Sequence, residues 1–242
     1  MSNVRFFRQG FFVSLVTSKT DKTDDNDREF VVECCKRISF SEFMNRNSDV
    51  KNRIEGSIEK QDGVLLTFCV KEGVDVKESF EEVSFLTYSI LPSSKILYVD
   101  LLCVKQEVQD KGLEALMMRH IFDYVDLKKN KIKFIIINDV KRLKIKTSLE
   151  SVVGRECFPR LIDYDDKISK LPAHVMWAVK EVGKKSAYKI NANLITHTKN
   201  MYRCTALKQI LDEKRIKFSR IKNLDLRRES VCLVVAIGEK NK

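Results

Sequence analysis

Apolar and polar positions along the chain change between strand-like runs and helix-like stripes. Residues 4–17 alternate weakly and predict one strand. Asp27 is a helix cap before residues 28–38, which predict a helix, and residues 39–58 predict one or two short helices. Strand patterns follow at 62–73, 82–91 and 94–104. The last run is apolar enough to be buried on both faces of a sheet.

The same reading predicts a crossover helix and further strands. Apolar residues recur on one stripe from residue 112 to residue 126 and predict a helix, and residues 131–138 predict a buried strand. No clear pattern runs from 139 to 200. Beyond it, a helix is predicted at 202–215 and strands at 216–224 and 230–238. A three-strand meander followed by strand, helix and strand implies an α/β (α+β) fold with a mixed, mostly antiparallel, twisted sheet flanked by helices.

Charge is distributed unevenly along the 242 residues. Residues 1–127 hold 17 Lys and Arg against 22 Asp and Glu, a net −5, whereas residues 128–242 hold 28 against 12, a net +16. This asymmetry predicts a partner for the second half that is acidic or carries phosphate, such as a nucleic acid or an acidic protein. No stretch approaches 18 uncharged residues, so a membrane span is not expected.

The seven cysteines and three histidines show no metal-binding or disulfide pattern. No C-x-x-C is present, and most of the cysteines lie in apolar strand or helix patterns. We therefore expect buried free thiols in a reducing compartment, and an intracellular protein of the cytoplasm or nucleus. The histidines lie far apart in the sequence, so no metal site is predicted.

The stretch "CVKQEVQDKGLEALMMRH", residues 103–120, contains the clearest candidate chemistry. A strand ends at Val104, and a loop with Gln109, Lys111 and Gly112 leads into a helix. Backbone N–H groups at a helix N-terminus bind phosphate, and a glycine lets the backbone approach the ligand closely. A simple strand-to-helix turn would explain the same glycine, and Lys111 would then be a solvated loop residue. Both interpretations stay open.

This loop and the order of elements resemble the GCN5-related N-acetyltransferases. The signature of that family, directly after its fourth strand, is Gln or Arg, two residues, Gly, one residue, then Gly or Ala. Gln109 and Gly112 match it, and Glu114 stands where the family has a small residue. The resemblance covers roughly residues 55–138 and 203–237. It implies a single domain over 1–242 in which 139–200 is an insertion before the last helix.

The resemblance implies acetyl-coenzyme A as cofactor and a set of residues that hold it. The loop amides and the helix N-terminus would bind the pyrophosphate, while the pantetheine arm would pair with the edge of the preceding strand. The residues that these roles select are Leu102, Val104, Gln109, Lys111, Gly112 and Leu113. Glu114 would repel the pyrophosphate and crowd the backbone, so it places the cofactor in doubt, unless a backbone shift turns it outward.

The resemblance also selects two candidate catalytic residues. Asp100 lies on the strand before the loop, where a carboxylate takes the proton from the acceptor amine. Tyr202, at the start of the last predicted helix, would protonate the leaving thiolate. By strand alternation Tyr98, Asp100 and Leu102 share one face. A structural hydrogen bond, or an edge position that faces water, would equally explain an acid inside this apolar run.

Three functions are compatible with these features. The first is an N-acyltransferase that moves an acyl group from acetyl-coenzyme A directly to an amine. The second is a catalytically inactive relative that acts as an interaction or scaffold protein, which Glu114 favours. The third, compatible with either, is binding of nucleic acid or an acidic partner through the basic residues of 128–242.

Overall fold

The computed structural model describes a large part of the chain. The described residues are 6–8, 11–16, 25–42, 48–70, 80–109, 111–140, 157–158, 171–186, 190, 194–197 and 229–237. The helix predicted at 202–215, the strand predicted at 216–224, and Tyr202 all lie outside them.

Nine strands of the described chain form one mixed sheet. In chain order they are β1 (Phe6–Arg8), β2 (Phe11–Val16), β3 (Gly63–Val70), β4 (Phe80–Leu91), β5 (Ile96–Val104), β6 (Phe134–Val140), β7 (Cys157–Phe158), β8 (Ile195–His197) and β9 (Glu229–Ala236). Their spatial order is β1-β2-β3-β4-β5-β6-β9-β7, and β8 also pairs with β9. Among these pairs β5 and β6 are parallel, while the others are antiparallel. The predicted fold class is confirmed.

Helices cover both faces of this sheet. They are α1 (Asp25–Glu42), α2 (Ser48–Lys60), α3 (Leu113–Val125) and α4 (Ala173–Val182). α3 connects β5 to β6, as a parallel pair requires, and its apolar stripe packs on one face against residues such as Leu65, Leu97 and Ile135. α1 and α2 pack on the other face over β3, β4 and β5, and α4 packs beside them over β5, β6 and β9.

Alternation along the strands explains how one sheet serves two cores. On β3, Leu65 points to the α3 face, while Val64 and Leu66 point to the α1 and α2 face. Because both faces are covered, β5 is apolar at nearly every position, as predicted. Burial of each such aliphatic side chain stabilises the folded state by about 1.5–3 kcal/mol relative to leaving it exposed.

One prediction about the strands is wrong. The single strand predicted over 4–17 is two strands, β1 and β2, paired antiparallel with Phe7 opposite Phe12. Segment 139–200 shows no clear pattern in the sequence, yet it supplies β7, α4 and β8. The apolar residues of α4 have helical spacing. The helix has only ten residues, so this pattern is too short to stand out in the sequence. The stripe consists of Val175, Ala178, Val179 and Val182.

Candidate functional site

The two parallel strands β5 and β6 separate partway along their length. Their pairing runs from Ile96 opposite Phe134 to Val99 opposite Ile137 and goes no further. Asp100 and Asn138 are therefore the first residue of each strand beyond the paired region. Both are polar and buried, at 2% and 1% exposure. Past this point the β6-facing edge of β5 makes no ladder with any described strand.

A β-bulge at Asp100 changes which side chains share a face. On β4, Thr87 is opposite Leu101 and Tyr88 is opposite Val99, so Asp100 is the extra residue. Leu101 packs with α1 and α2, and Leu102 packs with α3. The prediction that Asp100 and Leu102 share a face is therefore wrong, because the extra residue reverses the alternation after position 100.

The Asp100 side chain accepts hydrogen bonds from two hydroxyl groups. Tyr98 donates its hydroxyl to Oδ1 at 2.5 Å, and Ser57 on α2 donates to Oδ2 at 2.8 Å. Ser57 has one hydroxyl hydrogen, which it donates to Asp100. In the 2.8 Å hydrogen bond between Ser57 and Thr87, the Thr87 hydroxyl is therefore the donor and the Ser57 oxygen the acceptor. Thr87 in turn accepts the backbone N–H of Leu101 at 3.2 Å. Of the two non-catalytic explanations for Asp100, the structural hydrogen bond is present and the water-facing position is not.

This network also suppresses ionisation of its tyrosine. Burial raises the pKa of Tyr98 well above its ordinary value, and the neighbouring Asp100 raises it further. Tyr98 is therefore a neutral hydrogen-bond donor at any physiological pH. Asp100 has hydroxyl donors on both oxygens and no direct exposure to solvent.

The loop after β5 is folded back onto that strand. Residues Gln106–Val108 form one 3₁₀ turn, and the Gln109 backbone N–H donates to the Gln106 carbonyl at 3.3 Å. The Gln109 side-chain amide donates to the carbonyl of Val104 at 3.0 Å. Gln109 thus fixes the shape of the loop through its backbone N–H and its side-chain amide.

Gly112 begins α3 in a conformation that favours glycine. Its φ is +78°, and a Cβ at this position would meet nothing within 4 Å. The glycine is needed for its dihedral angle, and the space in front of it is open. The first-turn N–H groups of α3 have no intrahelical acceptor, and no side-chain cap hydrogen bond is made at this end.

The remaining cofactor candidates differ in what they offer. Lys111 is exposed beside Gly112. Leu113 and Val104 are buried together with Val83 and Val108, and Leu102 is partly buried against the α3 core. Their side chains are therefore structural, and only their main-chain groups are available to a ligand.

Glu114 does not turn outward. It is 7% exposed in the first turn of α3, where Met118 follows it on the same buried stripe. A carboxylate there favours the helix dipole by about 0.3–1 kcal/mol, and it would compete with a bound anion for the same N–H groups.

The structure adds site residues that were not predicted. Ser57 and Thr87 complete the hydrogen-bond chain to Asp100, and Asn138 lies at the strand separation. Asn138 ends the predicted buried strand 131–138. A polar amide at the end of an apolar run could have identified it from the sequence as a candidate site residue. Ser57 and Thr87 belong to α2 and β4, and only the tertiary fold brings them to Asp100. Tyr202 is not described, so its distance from Asp100 is open.

Comparison with known proteins gives likeness to solved structures. No protein-family profile and no curated protein sequence matches the chain. The ribosomal-protein-S18-alanine N-acetyltransferase of Escherichia coli is 8% identical, with a TM-score of 0.39 over 95% of this chain and 98% of that one. The ribosomal-protein-S5-alanine acetyltransferase of Vibrio fischeri is 15% identical, with a TM-score of 0.42 over 68% and 89%.

A third similar structure contains a cofactor. It is the catalytic domain of the Tetrahymena GCN5 histone acetyltransferase in complex with coenzyme A, 15% identical, with a TM-score of 0.37 over 57% of this chain and 73% of that one. All three proteins are acetyltransferases by name, the class that the loop resembles.

The described residues do not meet the requirements of a membrane-spanning helix or of a metal site. None of the helices described is both long and apolar enough to cross a membrane. The described part of the chain also brings together no group of three His, Cys, Asp or Glu side chains suited to a metal ion.

Proposed function

We propose that the chain binds an acyl-coenzyme A between β5 and β6 and transfers the acyl group to an amine. One observation carries the proposal. The parallel pairing stops at Val99, and the uncapped N-terminus of α3 packs against the free end of the same strand through Leu113 and Val104. A strand edge that pairs with no described strand thus lies next to a helix end that favours phosphate.

The residues present fit the cofactor at most positions. Acyl-coenzyme A, when bound, supplies the acyl group as a thioester. The N–H groups of Leu113 and the next residues of α3 would hold the pyrophosphate in the open space before Gly112, with Lys111 adding positive charge. The β5 edge from Leu102 to Val104 would pair with the pantetheine arm through main-chain groups other than the Val104 carbonyl, which the Gln109 side chain occupies.

Asp100 is the proposed proton acceptor for the acceptor amine. Because Ser57 and Tyr98 occupy its two oxygens, the proton would reach it through one of these hydroxyls. We retain Tyr202 as the proposed proton donor to the leaving thiolate. The acceptor amine is not identified by any side chain of the described site.

Glu114 supports a second candidate function. A buried carboxylate at the first turn of α3 opposes a pyrophosphate, and the closed Asp100 network offers no exposed base. Both features suit a protein that has kept the sheet but lost the cofactor and acts as a binding partner for another macromolecule. Cofactor affinity separates the two candidates.

The test is isothermal titration of the purified protein with acetyl-coenzyme A, beside two variants. Glu114→Ala removes the carboxylate at the proposed phosphate site and keeps a good helix former. Glu107→Ala removes an equal charge from the exposed 3₁₀ turn of the same loop. We expect micromolar binding by the wild-type protein, and at least about tenfold tighter binding by Glu114→Ala, which corresponds to about 1.4 kcal/mol.

The outcomes divide as follows. Binding by wild type, strengthened by Glu114→Ala and unchanged by Glu107→Ala, supports the transferase and places the pyrophosphate at α3. Binding by Glu114→Ala alone supports the inactive binding protein with a disabled cofactor site. If none of the three folded proteins binds at millimolar ligand, the proposal is wrong.

A further inference from the structure

A set of lysines lies at the end of the sheet opposite the proposed cofactor site. Here β5 and β6 begin, β4 and β9 end, and three turns meet, at 92–95, 126–133 and 183–185. Lys133 N–H donates to the Lys95 carbonyl at 2.7 Å, and Ser94 donates to Glu181 of α4 at 3.2 Å. We call this surface the lysine end, and its members are Lys95, Lys128, Lys129, Lys131, Lys133, Lys184 and Lys185.

The charge of the lysine end is only partly neutralised. Lys184 pairs with Glu181 at 2.8 Å, and Lys185 pairs with Asp62 at 3.6 Å. The other five lysines make no ion pair within the part of the chain that the structure describes. Two further acids, Asp123 and Asp126, lie nearby, so seven lysines face four acidic groups, a net +3.

Two of these lysines occupy a backbone conformation that disfavours them. Lys95 has a φ of 56° and Lys131 a φ of 51°, in the left-handed region where glycine and asparagine are usual. Asp126, at φ 45°, is closer to the usual choice. Glycine would fit at positions 95 and 131 with less strain, so the lysines there point to a use for their charge.

The positions are also held rigidly. Lys131 N–H donates to the Lys128 carbonyl at 3.0 Å, and Ile132 N–H donates to the Leu127 carbonyl at 2.8 Å. The Lys95 carbonyl accepts from both Lys133 and Phe134, which joins the two turns. Five exposed or half-exposed ammonium groups are therefore presented from adjacent, hydrogen-bonded turns.

We propose that the lysine end binds the phosphate backbone of nucleic acid. Lysine is a flexible point charge suited to phosphates, and contacts of this kind are independent of sequence. Protein interfaces, in contrast, are depleted in lysine and centre on buried aromatic or apolar anchors. Two large exposed apolar side chains lie beside this surface: Tyr124 on the last turn of α3, at 39% exposure, and Trp177 on α4, at 45% exposure, whose ring lies 6.0 Å from that of Phe134.

The test measures duplex binding without any acyl-coenzyme A, so it is independent of the proposed enzyme function. Fluorescence anisotropy with a labelled duplex of about 20 base pairs is recorded from about 50 to about 200 mM KCl. The Lys95→Gly, Lys131→Gly double variant should bind more weakly. Its slope of log affinity against log salt should be shallower by about 1.8, since each lost phosphate contact removes about 0.9.

Stability and a matched charge control make the test specific. Because glycine relieves the left-handed strain, the double variant should melt no lower than wild type. Arg119→Ala removes one positive charge from the exposed face of α3, away from the lysine end, and should change duplex affinity less than Lys95→Gly alone.

The remaining outcomes overturn the proposal. They are an absence of duplex binding at about 50 mM salt, a salt-independent affinity, and an equal loss for Arg119→Ala and Lys95→Gly. Poly-glutamate bound as tightly as the duplex, with the same loss in the double variant, would assign the surface to acidic proteins. A lower melting temperature of the double variant would show that the lysines are structural.

Discussion

A single chain of hydrogen bonds decides how Asp100 is tolerated in the core. The chain runs from Leu101 N–H through Thr87 and Ser57 to one oxygen of Asp100, and Tyr98 donates to the other. Burying a carboxyl group without such partners would be costly, whereas a complete network is tolerated. Any change that removes one member leaves a neighbouring polar group buried without its partner.

We predict opposite outcomes for two serine-to-alanine substitutions in the helices that cover this face. Ser57→Ala breaks the chain to Asp100 and should lower the free energy of unfolding by about 1–3 kcal/mol. Ser39→Ala, in α1, removes a buried hydroxyl with no hydrogen-bond partner among the described residues, and should be neutral or stabilising. Urea unfolding followed by circular dichroism measures both.

The helix propensity gained by alanine is the same in the two variants. The difference between their free energies of unfolding therefore reports the hydrogen bonds that Ser57 makes. Equal stability of the two variants would contradict the network. Asp100 can be identified from the sequence, since a carboxyl inside an apolar run is a local signal. Ser57 and Thr87 cannot, because they lie 43 and 13 positions away and meet Asp100 only in the folded sheet.

Elements are predictable where their pattern is long and local. The strands β3 to β6 and the helix α3 follow from apolar runs and one amphipathic stripe of at least seven residues. β7 and β8, with two and three residues, are too short to leave a pattern. The bulge at Asp100 could not be predicted, because it depends on the register between β4 and β5 rather than on β5 alone.

Two glycines in neighbouring elements predict a matched pair of variants. Gly56 lies inside α2, where an added Cβ would have nothing within 4 Å, so Gly56→Ala should stabilise by about 0.5–1 kcal/mol. Gly63 begins β3, and a Cβ there would lie 2.6 Å from the Tyr88 ring. Because Tyr88 is buried, Gly63→Ala should destabilise by about 1–3 kcal/mol, measured by urea unfolding.

The Tyr88 ring provides the control for this pair. In a Tyr88→Leu background the clash is removed, so Gly63→Ala should cost clearly less than it does in the wild-type protein. Gly56→Ala should have the same effect in both backgrounds, since α2 does not contact that ring through position 56. An undiminished cost of Gly63→Ala beside leucine would contradict the steric explanation.

β5 joins the parts of the described molecule into one sheet. Leu101 packs in the core under α1 and α2, Tyr98 packs in the core under α4, and Val99 packs in the core under α3. The single domain over 1–242 stays a prediction, which the unfolding of these cores can test. If β5 couples the three cores, they should unfold together.

Two probes on different sides of β5 test this coupling. Trp177 on α4 is the only tryptophan, 45% exposed, with its ring 6.0 Å from that of Phe134. Cys34 and Cys35 of α1 are fully buried, and burial raises the pKa of the Cys34 thiol to about 11, so both should resist alkylation in the native state.

We predict that both probes report the same transition. Trp177 emission and pulse alkylation of the peptide that contains Cys34 and Cys35, read by mass spectrometry, should give coincident urea midpoints. Coincidence is informative here because two-state unfolding is typical of single domains below about 150 residues, and this chain is longer. Alkylation at lower urea than the change in emission would show that α1 and α2 unfold from the sheet independently. In that case β5 carries two separately stable units, and the Ser57 bond to Asp100 would open before the core under α4.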